Sequence, residues 1–73
     1  MEITRRYNYS KLLGRMRERG VTQEQLSKEI GMNETTLSAK LNNRSQFKAD
    51  EMDAVCEVLD ISNEEISTYF FAT

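Results

Sequence analysis

Between residues 34 and 48 the chain sets the short hydroxyl side chains of Thr35, Thr36 and Ser38 close to three cations, Lys40, Arg44 and Lys48. A hydroxyl both donates and accepts, so it can meet either kind of group on a base edge, while lysine and arginine neutralise phosphates. Those residue types suit recognition rather than bond making. The chain has no histidine and one cysteine, so zinc sites and nucleophile–base triads lack their parts, and there is no glycine-rich phosphate loop. No enzyme activity, metal, cofactor or small-molecule substrate is therefore expected. Cys56 falls among Met52, Val55 and Leu59 at helical spacing, which predicts a small buried apolar residue instead of a reactive thiol. The plain alternative for Thr35, Thr36 and Ser38 is that they are solvated polar positions on a helix.

The elements that must position these groups are legible in residues 22–43, T-Q-E-Q-L-S-K-E-I-G-M-N-E-T-T-L-S-A-K-L-N-N. Thr22 can cap a helix with Gln25 as its capping-box partner, and Val21 and Leu26 form the hydrophobic staple around that cap. Leu26 and Ile30 make one apolar edge, and Gly31 stands where a left-handed residue ends a helix without a Cβ clash. Asn33 caps again after a short turn, Met32 and Leu37 repeat the staple, and Leu37 and Leu41 carry the apolar edge to Asn42. Two helices joined so tightly must cross steeply, the layout of a helix-turn-helix.

The same staple pattern recurs five times, at Tyr7, Asn8 and Leu12; Val21, Thr22 and Leu26; Met32, Asn33 and Leu37; Phe47, Lys48 and Met52; and Ile61, Ser62 and Ile66. Only Lys48 is a poor cap, and Asp50 and Glu51 place negative charge in the first turn that follows it, where the helix dipole favours it. Five helices are thus predicted. The first covers residues 9–19 with Tyr9, Leu12, Leu13 and Met16 on one face and Gly20 at its end. The fourth covers residues 49–59, with Met52, Val55, Cys56 and Leu59 on one face, and the fifth presents Ile66, Tyr69 and Phe70. Leu12, Met16, Leu26, Ile30, Leu37, Leu41, Val55 and Leu59 are expected in one core. No segment alternates long enough to make a strand, so the fold class is all-α.

Seventy-three residues make one small domain, in which about 60% of the unfolded surface is buried and the margin of stability is slim. The domain is expected to span residues 1–73, compact from about Tyr7 onward, with residues 1–6 as a flexible arm. No apolar run approaches the roughly 20 residues of a membrane span. The start, Met1-Glu2-Ile3-Thr4-Arg5-Arg6, lacks the apolar stretch of a signal peptide, so a cytoplasmic protein is expected.

In this setting Tyr9-Ser10-Lys11-Leu12, Gly14, Thr22-Gln23, Ile30-Gly31, Thr36-Leu37-Ser38, Lys40-Leu41-Asn42-Asn43, Phe47 and the ending Tyr69-Phe70-Phe71 resemble a group of small phage Cro-like proteins. These belong to the Cro and lysogenic-repressor type of helix-turn-helix protein, also called the xenobiotic-response-element type. The resemblance covers nearly the whole chain and implies a five-helix, lambda-repressor-like domain whose helices two and three read DNA. It implies that Gln23 donates to a phosphate, that Glu34, Thr35, Ser38 and Ala39 meet base edges in the major groove, and that Asn43 and Arg44 grip the backbone. The charges of Lys40, Arg44 and Lys48 agree with that phosphate-facing role. Implied with it are duplex operator DNA as partner, a homodimer, a function in the lysogeny switch, and a place at the nucleoid in the cytoplasm of a bacterial host.

The formal charge of −2 alone argues against a DNA binder, but its distribution does not. All ten Lys and Arg lie in residues 1–48 against five acids, a balance of +5, whereas residues 49–73 hold seven acids and no base. Such polarity presents a basic side to phosphates and keeps an acidic side away from them. Glu34 departs from the pattern, because its carboxylate opens the expected reading helix. An acid there stabilises the helix dipole and can accept from cytosine N4. It also suits a second function, docking on the basic DNA-reading face of a cognate phage repressor, as in the modulator-of-repression antirepressors, which this chain is similar to in size and domain plan. Arg15, Arg17 and Arg19, with Arg5 and Arg6 ahead of them, read as solvated charges, phosphate or arm contacts, or a protein-binding face. Tyr69, Phe70 and Phe71 are more aromatic surface than one helix face can bury in so small a core, so all three are candidates for contact with a protein partner, and at least Phe71 is expected to meet another protein chain or to fold back on helix one.

Overall fold

The computed structural model describes residues 6–73. It is all-helical, with α1 at Ser10–Glu18, α2 at Gln23–Glu29, α3 at Glu34–Leu41, α4 at Ala49–Leu59 and α5 at Ile66–Phe70; a single 3-10 turn, Asn63–Glu65, leads into α5. There is no strand among the described residues. The arm expected over residues 1–6 lies outside the described residues except for Arg6, which is exposed.

Capping accounts for where the helices begin. At α2 the Thr22 hydroxyl accepts from the Gln25 backbone N–H at 3.1 Å while Gln25 Oε1 accepts from the Thr22 N–H at 3.0 Å, a reciprocal capping box. Asn33 Oδ1 accepts from the Thr35 N–H at 2.8 Å and starts α3. Lys48 has no acceptor to offer, and the Glu51 carboxylate supplies the missing half by taking the Lys48 N–H at 2.8 Å. Helix α1 is one residue shorter at each end than its apolar spacing predicts, because Asn8 Oδ1 takes the Ser10 N–H and Tyr9 becomes the cap residue.

A common device ends α1 through α4. A residue with positive φ follows the last helical turn, Gly20 (68°), Gly31 (71°), Asn43 (63°) and Asp60 (56°), and the next N–H reaches back five residues. These closing bonds run from Val21 to the Met16 carbonyl, Met32 to Ser27, Arg44 to Ala39 and Ile61 to Cys56, at 2.8–2.9 Å. The left-handed conformation costs a residue with a Cβ roughly 1–2 kcal/mol and glycine nothing, so two of the four stops are visible as glycines and two are hidden in Asn43 and Asp60.

The core joins Leu12 and Met16 of α1, Leu26 of α2, Leu37 and Leu41 of α3, and Val55, Cys56 and Leu59 of α4 to Tyr9, Phe47, Ile61 and Phe70. Tyr9, Phe47 and Phe70 stack edge to face, with centroids 5.6 Å and 5.2 Å apart in turn. Ile30, expected inside, is the C-cap residue of α2 and stays half-buried against the core's edge. Met52, Ile66 and Tyr69 hold the same partly covered position. No helix among the described residues is long and apolar enough to cross a membrane.

Candidate nucleic-acid interface

Helices α2 and α3 pack on each other, joined by the turn at Gly31. Leu26, Leu37 and Leu41 anchor the pair in the core, which leaves Glu34, Thr35 and Thr36 of α3 exposed and Ser38 and Ala39 half-buried. On that side Gln23, Glu34, Thr35, Ser38, Ala39 and Arg44 line one open concavity of about 330 Å³. Six residues from the start of α2, the first two turns of α3 and the loop beyond it therefore face one space. All four residues expected at base edges are among them, together with Gln23 and Arg44 from the phosphate set. Glu34, Thr35 and Arg44 are exposed, and Gln23, Ser38 and Ala39 are half-buried in the lining.

Two residues expected at phosphates are committed elsewhere. Lys40 is buried, and its Nζ lies 2.9 Å from Glu51 Oε1 and donates to the Gln46 carbonyl at 2.9 Å. Its charge serves the joint between α3 and α4. Burial by itself would raise the Glu51 carboxyl, but the Lys48 N–H and the Lys40 ammonium outweigh it and hold the group below the ordinary carboxylate range. Asn43 ends α3 with positive φ, and its side chain clamps Tyr7: Oδ1 accepts from the Tyr7 N–H at 2.8 Å and Nδ2 donates to the Tyr7 carbonyl at 2.9 Å. The clamp uses the amide oxygen and one of the two Nδ2 hydrogens, so the side chain's orientation is set by Tyr7. Lys48 is exposed but does not line the concavity.

The aromatic ending also divides. Phe70, expected as a partner contact, is 1% exposed and packs against Phe47, so it belongs to the core. Tyr69 is half-buried, and Phe71 remains 44% exposed although its ring meets Tyr7 edge to face at 5.5 Å. Phe71 thus folds back on the segment preceding α1, beside the Asn8 N–H that bonds the Ala72 carbonyl.

Arg15 has a role its sequence did not reveal. Its Nε donates to the Leu59 carbonyl at 2.9 Å and its Nη2 to the Asp60 carbonyl at 2.8 Å, while Nη1 lies 3.5 Å from Glu18 Oε1. A guanidinium there meets the unpaired carbonyls and the negative end of α4. Arg17 and Arg19 remain exposed, and Arg5 lies outside the described residues. Cys56 is buried, and burial, reinforced by the nearby Asp53 charge, pushes its thiol up, which makes it inert as a nucleophile at neutral pH. No group of three or more Cys, Asp or Glu placed to hold a metal occurs among the described residues.

Comparison with curated proteins finds no match for this chain. Residues 5–73 match the family described as "Protein of unknown function (DUF739)", and with nearly its whole length covered the chain belongs to that family.

Proposed function

We propose that this protein is a Cro-like regulator of a phage lysogeny switch that binds operator DNA through α2 and α3 acting as a helix-turn-helix. The observation that carries the reading is the shared concavity of Gln23, Glu34, Thr35, Ser38, Ala39 and Arg44. It combines an amide and a guanidinium, which suit phosphates, with short hydroxyls and a methyl, which suit base edges. The charge polarity of the chain supports the same orientation, because the segment beyond Lys48 carries every one of its charges as an acid. A homodimer follows from the short reading surface, since one α3 spans only part of a groove, and Phe71 offers exposed apolar area for a second chain.

A second reading is favoured by one observation. With Lys40 and Asn43 turned inward, the concavity holds one cation, Arg44, and one exposed carboxylate, Glu34, which makes no ion pair among the described residues. That balance suits an antirepressor docking on the basic reading face of a cognate phage repressor.

Titration of the protein against phage operator-region duplex, random duplex and the cognate repressor, by mobility shift and fluorescence anisotropy, tests both. Selective binding to operator DNA supports the regulator. Tight repressor binding that Glu34→Gln weakens, with negligible DNA binding by either form, replaces it with the antirepressor.

A further inference from the structure

Arg6 and Arg44 are far apart in the sequence, yet each is the chain neighbour of one member of the same clamp. Asn43 Oδ1 accepts from the Tyr7 N–H at 2.8 Å and Asn43 Nδ2 donates to the Tyr7 carbonyl at 2.9 Å, so both backbone polar groups of Tyr7 are tied to the end of α3. The peptide bond that carries the Tyr7 N–H is the one that joins Tyr7 to Arg6. The chain is therefore fixed at the residue next to Arg6, and Asn43, with its positive φ of 63°, leads directly into Arg44.

The two arginines open onto surfaces that meet at the Asn43–Arg44 bond. Arg44 lines the concavity at the start of α3, whereas Arg6 and Asn43 line a second one of about 400 Å³. No acidic side chain is among the described residues that line the second concavity. Both arginines are exposed, and neither makes an ion pair among the described residues, unlike Arg15 with Glu18, Lys28 with Glu24 and Lys40 with Glu51. Two unpaired like charges on neighbouring surfaces raise the local positive potential, which a polyanion relieves. A cation near a chain end usually loses much of that gain to the ordering of the residues that carry it. Here no residue separates Arg6 from the fixed point.

We propose that Arg6 is a further phosphate contact of the reading surface, and that Asn43, acting through Tyr7, is the positioning residue that sets it beside Arg44 along the DNA backbone. The inference rests on the DNA reading above. A guanidinium on phosphate oxygens carries no base information, and its contribution is the release of a counterion, so it is read out by salt and not by sequence. Asn43 then bears on DNA affinity without touching DNA. The tie that remains when its amide is removed, the Asn8 N–H to the Ala72 carbonyl, holds the segment to the end of α5 and not to α3.

The test is the affinity of the full-length protein for operator and random duplex as a function of salt, for wild type, Arg6→Ala, Arg6→Lys, Asn43→Gly and the double variant Arg6→Ala with Asn43→Gly. Glycine keeps the positive φ at 43 while losing the clamp, and each affinity is corrected for the folded fraction from denaturant unfolding. In Arg6→Ala the slope of log affinity against log salt should shrink by about 0.9, a factor of about eight in affinity across a tenfold change in salt, on both duplexes alike. Arg6→Lys should keep the slope. In the Asn43→Gly background Arg6→Ala should cost much less, whereas a merely weaker fold would leave the Arg6 contribution to the slope in place. If Asn43→Gly does not fold, the two Arg6 variants decide. A wild-type slope in Arg6→Ala overturns the phosphate contact, and an equal cost of Arg6→Ala in both backgrounds overturns the positioning role; either leaves the DNA reading intact. Wild type that binds neither duplex overturns that reading and the proposal together.

Discussion

The Lys40 ammonium lies 2.9 Å from the Glu51 carboxylate and 2.9 Å from the Gln46 carbonyl, which ties the last turn of α3 to the first turn of α4 across the loop that carries Arg44. The pair is largely withdrawn from solvent, with side chains 7% and 22% exposed, so neither member can lose its partner cheaply. Lys40→Met keeps the apolar stem and removes the charge. It is expected to cost about 1.5–3 kcal/mol, the range for a hydrogen bond to a charged group, measured by urea unfolding. Unchanged stability would show that Glu51 is served by the Lys48 N–H alone.

The same pair predicts an acid dependence. Glu51 titrates below its ordinary value of 4.5 in the folded chain, so its contribution to stability is fully present above that value. As pH falls from about 4.5 through the lower folded value the contribution is lost, because the folded state must then give up a preferred charge. Melting temperature followed from pH 7 to pH 3 should therefore drop less steeply in Glu51→Gln than in wild type, the two curves converging at the acid end. Parallel curves would remove Glu51 from the acid response.

Asn43 joins backbone geometry and side-chain bonding in one residue, and two substitutions separate them. Asn43→Gly keeps the positive φ without penalty and loses the two bonds to Tyr7. Asn43→Ala loses the bonds and also bears the left-handed backbone, so it should be less stable than the glycine variant by about 1–2 kcal/mol. Denaturant unfolding of both variants measures the difference, and equal stabilities would mean that the loop relaxes out of the left-handed conformation.

Arg15→Ala should destabilise the domain by about 1.5–3 kcal/mol, through loss of two charge-assisted bonds to the Leu59 and Asp60 carbonyls. Hydrogen exchange should quicken first at the end of α4 and at Ile61. DNA or repressor affinity corrected for the folded fraction should not change, since Arg15 does not line the concavity.

Leu37 is 0% exposed at the centre of α3, and its truncation to alanine should cost about 2–5 kcal/mol in a domain with little stability to spare. A melting temperature close to wild type would contradict its burial.

Arg44→Ala bears on the proposed interface without touching the core. If DNA is the partner, affinity should fall evenly across sequences, and the slope of log affinity against log salt should shrink by about one, the effect of a single lost phosphate contact. An unchanged slope would remove Arg44 from the phosphate set.

The sequence by itself determined the helices, because what starts and stops them acts over three to five residues. Thr22 with Gln25, Asn33 with Thr35, and the glycines at 20 and 31 do the same work in the fold that their order in the chain predicts. It also determined which residues of α2 and α3 were candidates for one face, since a helical repeat brings Glu34, Thr35 and Ser38 together whatever surrounds them. Only the tertiary structure decided which polar and aromatic side chains were left over for that face. Lys40 and Asn43 read as solvent-facing until Glu51 and Tyr7 come into reach, and the Tyr7 contact spans 36 residues. Arg15 finds its carbonyl partner 44 residues away, and Phe70 is buried by Phe47 from a loop. A polar group desolvated by a distant neighbour must be satisfied by that neighbour, and no local pattern encodes which segment will arrive to do so.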